Sequence, residues 1–329
     1  MKVVVLTTSY PTAEHPVAGN FVASSVDAAR AAGIDVEVVS PADFAHFGIA
    51  FGAGIAQNLR AAPWRLALVP AFLGAFSVAA RRAARDADLV HAHWIPSAVA
   101  ARSAGKPYVL QVWGTDVELA RRAPRIVRPL VRGARTVIAA SSFLADAARE
   151  LGARAVEVIP PPVAIPEHVG EPAEPPHVLF AGRLSEEKGI LEFVDATVGL
   201  PRVIVGDGPL RSRVPDALGF VPPSDLGPFF EHAAVVCVPS RREGYGQTAR
   251  EAMAYGRPVV ATRVGGLADL DQGVELVQPR DVQSLREAVV RCLAGGRSLG
   301  AAGRAYARDE LSPSAVGARL VAVYRGEAG

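Results

Sequence analysis

Two cationic side chains lie five residues apart in a loop that follows a short apolar run. The run ends at Ala181 and is followed by GRLSEEKG, so Arg183 and Lys188 flank a turn that leads directly into an expected helix. A guanidinium, an ammonium and the amides of a helix start all favour negative charge, and together they could neutralise a diphosphate. Lysine is otherwise scarce, with three lysines among 35 basic residues. A solvated loop, in which Glu186 or Glu187 pairs locally, is the alternative.

A second loop places two carboxylates eight residues apart. The chain reads SRREGYGQTARE, in which Glu243 lies in the loop and Glu251 lies about one turn into a helix that starts near Gln247. Gly244 and Gly246 let backbone N–H groups approach an anion without obstruction by a Cβ atom, and the helix start adds partial positive charge. The two carboxylates could hold hydroxyl groups at opposite ends of one elongated ligand. Alternatively, Glu251 only complements the helix N-terminus.

Further polar residues lie near the ends of two apolar runs closer to the N-terminus. Asp116 follows QVWGT, where it could accept a hydrogen bond from a ligand hydroxyl or cap a turn. His91 and His93 occur in a run typical of a buried strand, where each is either a hydrogen-bonded core histidine or a proton-transferring one.

Short β-branched runs alternate with Ala- and Arg-rich segments of helical spacing, which must position these loops. Helices are expected at residues 21–32 and 143–151, among others. Strands are expected at residues 3–7, 36–40, 89–93, 108–112, 136–140 and 156–159, and again at 178–181, 202–205, 235–239, 259–262 and 275–277. This alternation predicts a parallel sheet covered by helices on both faces in each half of the chain.

Seven prolines between residues 160 and 176 mark the division between the halves, because such a composition is typical of a stiff, extended connector. We therefore predict an N-terminal domain at residues 1–165 and a C-terminal domain at 166–311. Ser312 and Pro313 have the N-cap and N1 chemistry of a final helix in residues 312–329, which we expect to pack back toward the N-terminal domain. The two domains should face each other across a cleft between the carboxyl ends of both sheets, where ligands of such folds bind.

Composition excludes several classes of protein. The net charge of +2 indicates no general nucleic-acid binding, although the pI is near 8.7. Two cysteines, Cys237 and Cys292, do not indicate a disulfide framework or a zinc site. The N-terminal apolar run is too short for a signal peptide, and the longest nearly uncharged stretch, residues 66–80, falls short of the ~20 residues that span a bilayer. We therefore expect a cytoplasmic protein.

At the level of motifs, the chain resembles the retaining GT-B glycosyltransferases, specifically glycosyltransferase family four. Glu243 and Glu251 match that family's E-x7-E element, and GRLSEEKG matches its cationic loop. The resemblance covers nearly the whole chain, since the family's other elements are similar to SYPTAEHPVAGNF, DLVHAHW, VGDGPL, GFVP and RPVVATRVGG in this order around the two loops. It implies two Rossmann-like domains and transfer of a sugar from a UDP- or GDP-sugar to an acceptor hydroxyl, with retention of anomeric configuration.

The resemblance also implies roles for individual residues. Arg183 and Lys188 would neutralise the donor diphosphate, Glu251 would bind the ribose hydroxyls, and Glu243 would face the transferred sugar. No metal and no cofactor beyond the nucleotide-sugar co-substrate are implied, because the two cations and the helix dipole would neutralise the charge. The other donor-binding positions would be Gly19, Val221, Gly244, Tyr245, Gly246 and Gln247.

One position departs from the family pattern. Most members have a histidine where this chain has Trp113, and that histidine is usually assigned to the donor sugar or the acceptor. A tryptophan can stack or donate one N–H, but it cannot exchange a proton at neutral pH. This leaves Asp116 as a catalytic candidate on the acceptor side, together with Trp113 and His93. The acceptor could be a glycan, a lipid-linked compound or a small molecule.

An arginine-rich segment suggests one further partner. Six arginines occur in residues 121–135, interleaved with Ile126, Val127, Leu130 and Val131. Such a segment is either a solvated helical face or a contact with anionic lipid at the inner membrane face.

Other functions fit the sequence less well. A dehydrogenase would need G-x-G-x-x-G after the first strand, where the chain reads SYPTAEHP. A nucleotide-sugar epimerase, a phosphorylase and a non-catalytic nucleotide-sugar-binding protein stay as alternatives.

Overall fold

A computed structural model describes residues 1–15, 17–50, 54–114, 117 and 123–327. The chain forms two compact units. Unit 1 comprises Met1–Pro162 together with Pro313–Gly329, and unit 2 comprises Val163–Ser312. The sequence placed these divisions after residues 165 and 311, a few residues away.

Unit 1 is built on a six-stranded parallel sheet in the order β2-β1-β3-β4-β5-β6. Its strands are rich in Val, Ile and Leu, and β3 and β4 are buried along their whole length because helices cover both faces. The strands are β1 (Lys2–Leu6), β2 (Asp35–Val39), β3 (Leu89–His93), β4 (Tyr108–Val112), β5 (Thr136–Ala139) and β6 (Val156–Val158). The helices before residue 162 are α1 (Asn20–Ala31), α2 (Ile55–Ala61), α3 (Val69–Ala83), α4 (Ile95–Ser103), α5 (Pro124–Gly133) and α6 (Ser142–Glu150).

Unit 2 is built on a five-stranded parallel sheet in the order β11-β10-β9-β7-β8, with a hydrophobic core on each face. Its strands are β7 (Val178–Ala181), β8 (Arg202–Val205), β9 (Val235–Val238), β10 (Val259–Thr262) and β11 (Val274–Val277). Its helices are α7 (Ile190–Ala196), α8 (Gly227–His232), α9 (Gln247–Ala254), α10 (Val282–Gly295) and α11 (Arg297–Glu310). The predicted parallel α/β architecture of each half is confirmed.

The C-terminal helix α12 (Pro313–Arg325) belongs to unit 1, where it packs against α1. Gly317 allows this contact, because a Cβ atom there would lie 2.5 Å from the backbone oxygen of Ala28. Leu320 and Tyr324 are buried in the same core as β1. The last helix of the chain therefore completes the first unit.

The strand order of each sheet reverses at one point. In unit 1, β1 lies between β2 and β3, and in unit 2, β7 lies between β8 and β9. Successive connections leave the sheet in opposite directions at such a switch point, so the loops at the carboxyl ends of the two central strands form a crevice. In unit 2 these are the two loops selected from the sequence.

The proline-rich connector differs in part from expectation. Residues 160–176 form no helix or strand, but Val163 is only 2% exposed, belongs to the core of unit 2 and donates a backbone hydrogen bond to Leu311. The start of the connector is therefore packed and not simply extended in solvent.

One helical segment extends beyond the nearly uncharged stretch at residues 66–80. Helix α3 continues with its flanking turns from Pro63 to Asp86, and these 24 residues are long and apolar enough to cross a membrane by length and composition alone. Within unit 1, Phe72, Phe76 and Ala80 are buried and α3 packs against α4, but only 17% of the most apolar window of this segment is buried. The expectation that no segment is long enough to span a bilayer is therefore not borne out by the length and composition of this segment.

Candidate functional site

An ion pair joins the two predicted loops at the switch point of unit 2. The ammonium of Lys188, in the loop after β7, lies 2.6 Å from Oε2 of Glu243, in the loop after β9. Both side chains are shielded, with 32% and 13% exposure respectively. The hydroxyl of Ser240 donates a second hydrogen bond of 3.2 Å to the same carboxylate oxygen. A cation and a carboxylate that the sequence selected separately are thus in direct contact.

The loop after β7 is shaped by close backbone approaches. Residues Glu186–Lys188 form one 3-10 turn, and Gly189 follows in the left-handed region at φ 69°. A Cβ atom on Gly189 would overlap the carbonyl oxygen of Pro239, and one on Gly206 would overlap that of Gly182. These glycines allow the loop to lie directly against β9 and β8, which brings Lys188 to Glu243.

The Glu243 loop is supported from the next strand. The backbone N–H of Gly266, after β10, donates to the carbonyl of Glu243 at 3.2 Å. Gly265 has φ 47°, and a Cβ atom there would overlap the same carbonyl oxygen. Thr262, the last residue of β10, donates its hydroxyl to the carbonyl of Ser240. The position of the Glu243 carboxylate therefore depends on the ends of three neighbouring strands of the sheet, β10, β9 and β7.

A buried arginine organises the start of α9. Arg250 is 3% exposed, and its guanidinium donates to the carbonyls of Tyr245 and Gly266 while lying 4.0 Å from the centre of the Tyr245 ring. Gly246 is the N-cap of α9 at φ 89°. These contacts satisfy carbonyl groups of the glycine-rich turn and fix the turn at the start of α9.

Glu251 lies in a less polar environment than Glu243. Burial raises the pKa of its carboxyl above the ordinary value, and a hydrogen bond of 2.9 Å from the Gln247 amide opposes that rise. Arg183 is exposed, and Val221 is half-buried against the core of unit 2. Phe220, which the sequence reading passed over, is 64% exposed beside Val221.

Three predicted residues of unit 1 lie at or beyond the carboxyl ends of β1, β3 and β4. Gly19 caps α1 after the β1 loop at φ 66°, and a Cβ atom there would overlap the carbonyl oxygen of Ser9. His93 ends β3 and Trp113 follows β4, with their rings stacked at 5.7 Å and 15°. Asp116 lies outside the described residues.

The two histidines of β3 are core residues. His91 and His93 are each 1% exposed, with ring centres 4.3 Å apart, and Nδ1 of His91 lies 2.7 Å from the Tyr324 hydroxyl. Burial lowers the pKa of His91 to about 3, while the Gln111 side chain opposes the shift. Burial and the neighbouring His91 lower the pKa of His93 well below its ordinary value. In unit 1, His93 therefore has the environment of a neutral structural residue.

Four contributing residues were not selected from the sequence: Ser240, Arg250, Gly265 and Trp94. Trp94 follows His93 at φ 65°, an uncommon conformation for a bulky residue, and its ring contacts those of Phe21 and Trp113. Only the glycine pair after β10 gave a local signal, since the other three depend on long-range packing.

Among the described residues, no group of three or more His, Cys, Asp or Glu side chains is arranged to hold a metal ion.

Comparison with known proteins identifies the family to which the chain belongs. Residues 18–165 match the model described as Glycosyltransferase Family 4, and residues 175–295 match Glycosyl transferases group 1. The 2-deoxystreptamine glucosyltransferase of Streptomyces kanamyceticus is 30% identical, over 68% of this chain and 74% of that protein. The chain belongs to glycosyltransferase family 4. Lys188, Glu243 and Glu251 therefore lie in the group 1 domain of a glycosyltransferase.

Further relatives and solved structures align along most of the chain. TuaC of Bacillus subtilis, a glycosyltransferase named for teichuronic acid biosynthesis, is 29% identical over 88% of this chain and 89% of its own length. Among solved structures, sucrose-phosphate synthase of Thermosynechococcus elongatus has a TM-score of 0.78 at 19% identity, covering 99% of this chain and 98% of that one. Anabaena HepE in complex with UDP-glucose has a TM-score of 0.74 at 21% identity, covering 99% and 100%. This family 4 glycosyltransferase thus has the two-domain GT-B fold.

Proposed function

We propose that this glycosyltransferase transfers a sugar from a UDP- or GDP-sugar to an acceptor hydroxyl with retention of anomeric configuration. The observation that carries the proposal is the contact between Lys188 and Glu243 at the switch point of unit 2. Cleavage of a nucleotide sugar develops negative charge on the diphosphate and positive charge on the sugar ring. A cation and a carboxylate held side by side suit these two developing charges.

The two cations of the β7 loop would stabilise the leaving diphosphate. Arg183 is exposed, and its planar guanidinium can bind two phosphate oxygens at once. Lys188 is held by Glu243 before substrate binds, so the diphosphate would have to share or displace that carboxylate. The N–H groups of Gly244, Tyr245, Gly246 and Gln247 would complete the donor site at the start of α9.

Each of the two carboxylates would bind a different part of the donor. Glu243 would face the transferred sugar, and Glu251 with Gln247 would bind the ribose hydroxyls. Val221 would contact the base, and the exposed ring of Phe220 gives the base a second apolar surface. In unit 1, Gly19 would bring backbone N–H groups to the distal phosphate.

Two similar proteins support this choice of donor and acceptor. HepE was solved with UDP-glucose, and the Streptomyces kanamyceticus relative is named as a glucosyltransferase acting on 2-deoxystreptamine. For this chain we propose a nucleotide-sugar donor and a glycan, a lipid-linked compound or a small molecule as acceptor. Trp113, Asp116 and His93 are the proposed acceptor-side residues, and His93 would act by packing against Trp113.

The proposed reaction uses no metal ion and no cofactor besides the nucleotide sugar, since Arg183, Lys188 and the α9 dipole would take the phosphate charge. The proposed location is cytoplasmic, with a peripheral contact at the inner membrane face. Helix α5 supports that contact, because it exposes Ile126 beside the exposed Arg125 and Arg128, while Val127, Leu130 and Val131 are buried in unit 1. Arg121 and Arg122 of the same segment lie outside the described residues.

Thermal-shift measurements with nucleotides test the donor site, because a ligand that binds only the folded protein raises its melting temperature. We expect UDP or GDP, and the matching sugar nucleotide, to raise it. The shift should shrink strongly in Arg183→Ala and in Lys188→Ala. Arg297→Ala is the matched control, since its side chain is 90% exposed. Unchanged nucleotide shifts in both loop variants contradict the phosphate assignment.

Product analysis tests the reaction itself. Incubation with the responding sugar nucleotide and candidate acceptors should release the nucleoside diphosphate and form an α-linked product from an α-linked donor, which NMR of the anomeric proton can verify. An inverted product contradicts retention. Release of a free epimer, or of a sugar phosphate in the presence of phosphate, would instead indicate the epimerase or phosphorylase alternative.

A further inference from the structure

A cavity of about 710 Å³ lies at the amino-terminal edge of the unit 1 sheet. Its lining comes from the segments directly before β4, β5 and β6 and from the ends of helices α4 and α5. In a parallel sheet this edge is opposite the carboxyl ends, where Trp113 and His93 lie. The cavity is therefore separate from the unit 1 residues assigned to sugar transfer.

The cavity is strongly cationic. Its lining includes five basic side chains and, within the part of the chain that the structure describes, no aspartate or glutamate. These five are Arg102, Lys106, Arg132, Arg135 and Arg154. Like charges gathered in one concave site repel each other and concentrate the local field, so the site favours a multiply charged anion.

Two of the five basic side chains donate hydrogen bonds to backbone carbonyl groups of unit 1. Arg135 donates to the carbonyls of Val323 and Tyr324 at 2.7 and 2.9 Å, which ties the strand edge to α12. Arg102 donates to the carbonyl of Pro129 at 3.5 Å. In contrast, Lys106, Arg132 and Arg154 form no hydrogen bond or ion pair with any described residue, and all three line the cavity.

Capping of helix ends does not account for these three cations. Basic residues often stabilise the free carbonyls of a last helical turn. At the end of α5 two of those carbonyls already have partners: the hydroxyl of Tyr108 donates to Leu130, and the N–H of Ala134 donates to Val131. Gly133 permits this closure, because a Cβ atom there would lie 2.7 Å from the Tyr108 hydroxyl. Lys106, Arg132 and Arg154 thus line the cavity beside a floor in which the Tyr108 hydroxyl and the carbonyls of Leu130 and Val131 are already paired.

We propose that this cavity binds a small ligand carrying two or more phosphate charges, held by Lys106, Arg132 and Arg154 above the Tyr108 hydroxyl. Arginine and lysine together supply forked and single donors to phosphate oxygens. The volume suits a small molecule or a single lipid headgroup, since ligand pockets commonly measure ~300–1,000 Å³. The site is a second anion site, independent of the donor site proposed in unit 2.

Isothermal titration calorimetry with inorganic pyrophosphate tests the site. The full chain with Arg183→Ala and Lys188→Ala is the starting protein, so that binding at the β7 loop does not contribute. We expect it to bind one pyrophosphate, with an affinity that decreases as salt increases. Adding Arg132→Ala and Arg154→Ala should weaken binding by on the order of 100-fold, because two charge-assisted hydrogen bonds are lost. Lys106→Gln, a single change on another segment, should weaken it on its own.

The matched control removes the same amount of charge from helix α5, at positions outside the cavity. Arg125 and Arg128 are exposed on α5 and do not line it. The pair Arg125→Ala and Arg128→Ala should retain pyrophosphate binding. An equal loss in this control would overturn the proposal in favour of diffuse attraction, and so would unchanged binding in the cavity variants.

A second arm identifies the source of the phosphate groups. Flotation with vesicles of cardiolipin, whose headgroup carries two phosphates, in phosphatidylcholine is repeated with and without pyrophosphate. Retention on vesicles that pyrophosphate abolishes, and that Arg132→Ala with Arg154→Ala removes, indicates a lipid headgroup. Pyrophosphate binding without retention on vesicles indicates a soluble phosphorylated ligand. Absence of both kinds of binding overturns the proposal.

Discussion

Glu243 has two roles that experiments can separate. Its carboxylate holds Lys188 at 2.6 Å in the free protein, and in the proposed reaction it faces the sugar. The first role competes with donor phosphate for the lysine, whereas the second stabilises a state that exists only during transfer. Binding and turnover should therefore respond differently to its removal.

Replacing Glu243 with Gln should lower kcat by on the order of 100-fold, because a charge near the reacting sugar is lost. The dissociation constant for the nucleoside diphosphate should stay the same or fall, since Lys188 is released. Steady-state kinetics and calorimetry measure the two quantities. Ser240→Ala is the control, as it removes the other hydrogen bond to Glu243 but keeps the charge. A kcat close to the unaltered value would contradict the assignment of Glu243 to the sugar.

Glu251→Gln should weaken nucleotide binding more than it lowers kcat, which is the reverse of the expectation for Glu243→Gln. Its carboxyl group has a raised pKa because of burial and accepts from Gln247, an arrangement that suits the binding of neutral hydroxyls. Loss of this acceptor should weaken binding of UDP or GDP by on the order of 10-fold, with a smaller change in kcat. A 2′-deoxynucleotide should lose less affinity on the same substitution. Equal losses for both nucleotides would argue that Glu251 does not bind the ribose.

At the scale of elements, local patterns were sufficient for the strands. Runs such as residues 89–93 and 202–205 match β3 and β8 because β-branched side chains between polar turns leave little choice of conformation. The final helix was also recognisable from its Ser–Pro start. These features depend on neighbouring residues only.

The contacts within the site, in contrast, could not be predicted from local sequence patterns. Lys188 and Glu243 are 55 residues apart and meet because β7 pairs with β9 as well as β8, a strand order that no local pattern encodes. Burial of Arg250 depends likewise on the loop after β10. For the same reason the connector was taken as extended, although Val163 packs into a core assembled from distant strands.

The loop after β10 gives a prediction at this scale. Gly265→Ala should destabilise unit 2 by ~1–3 kcal/mol and lower activity, because the new Cβ atom would overlap the carbonyl of Glu243 and move that loop. Gly199→Ala is the matched control: Gly199 also has a positive φ, of 75°, but open space around it. Thermal unfolding and initial rates distinguish the two. Similar activity losses in both variants would show that backbone strain, and not displacement of Glu243, is responsible.

At the scale of the whole molecule, the two units can be observed separately. The chain has three tryptophans, Trp64, Trp94 and Trp113, and all three lie in unit 1. Tryptophan fluorescence therefore reports the unfolding of unit 1 alone. This matters because a chain with two compact units need not unfold in a single step, and a single free energy of unfolding would then be undefined.

Unit 1 should lose stability in acid because of its buried histidines. Burial lowers the pKa of His91 from 6.5 to about 3, so between these values the unfolded chain binds a proton that the folded chain does not. The free energy of unfolding must then decrease as pH falls below the unfolded pKa, by about 2 kcal/mol for His91 alone between about pH 7.5 and pH 5, and His93 adds to the loss. Urea unfolding followed by tryptophan fluorescence measures this slope, which should diminish when both histidines are replaced by Gln. His46→Gln, a half-buried histidine of the same unit, should leave it unchanged. An equally steep slope in the double variant would mean that other groups cause the acid sensitivity of unit 1.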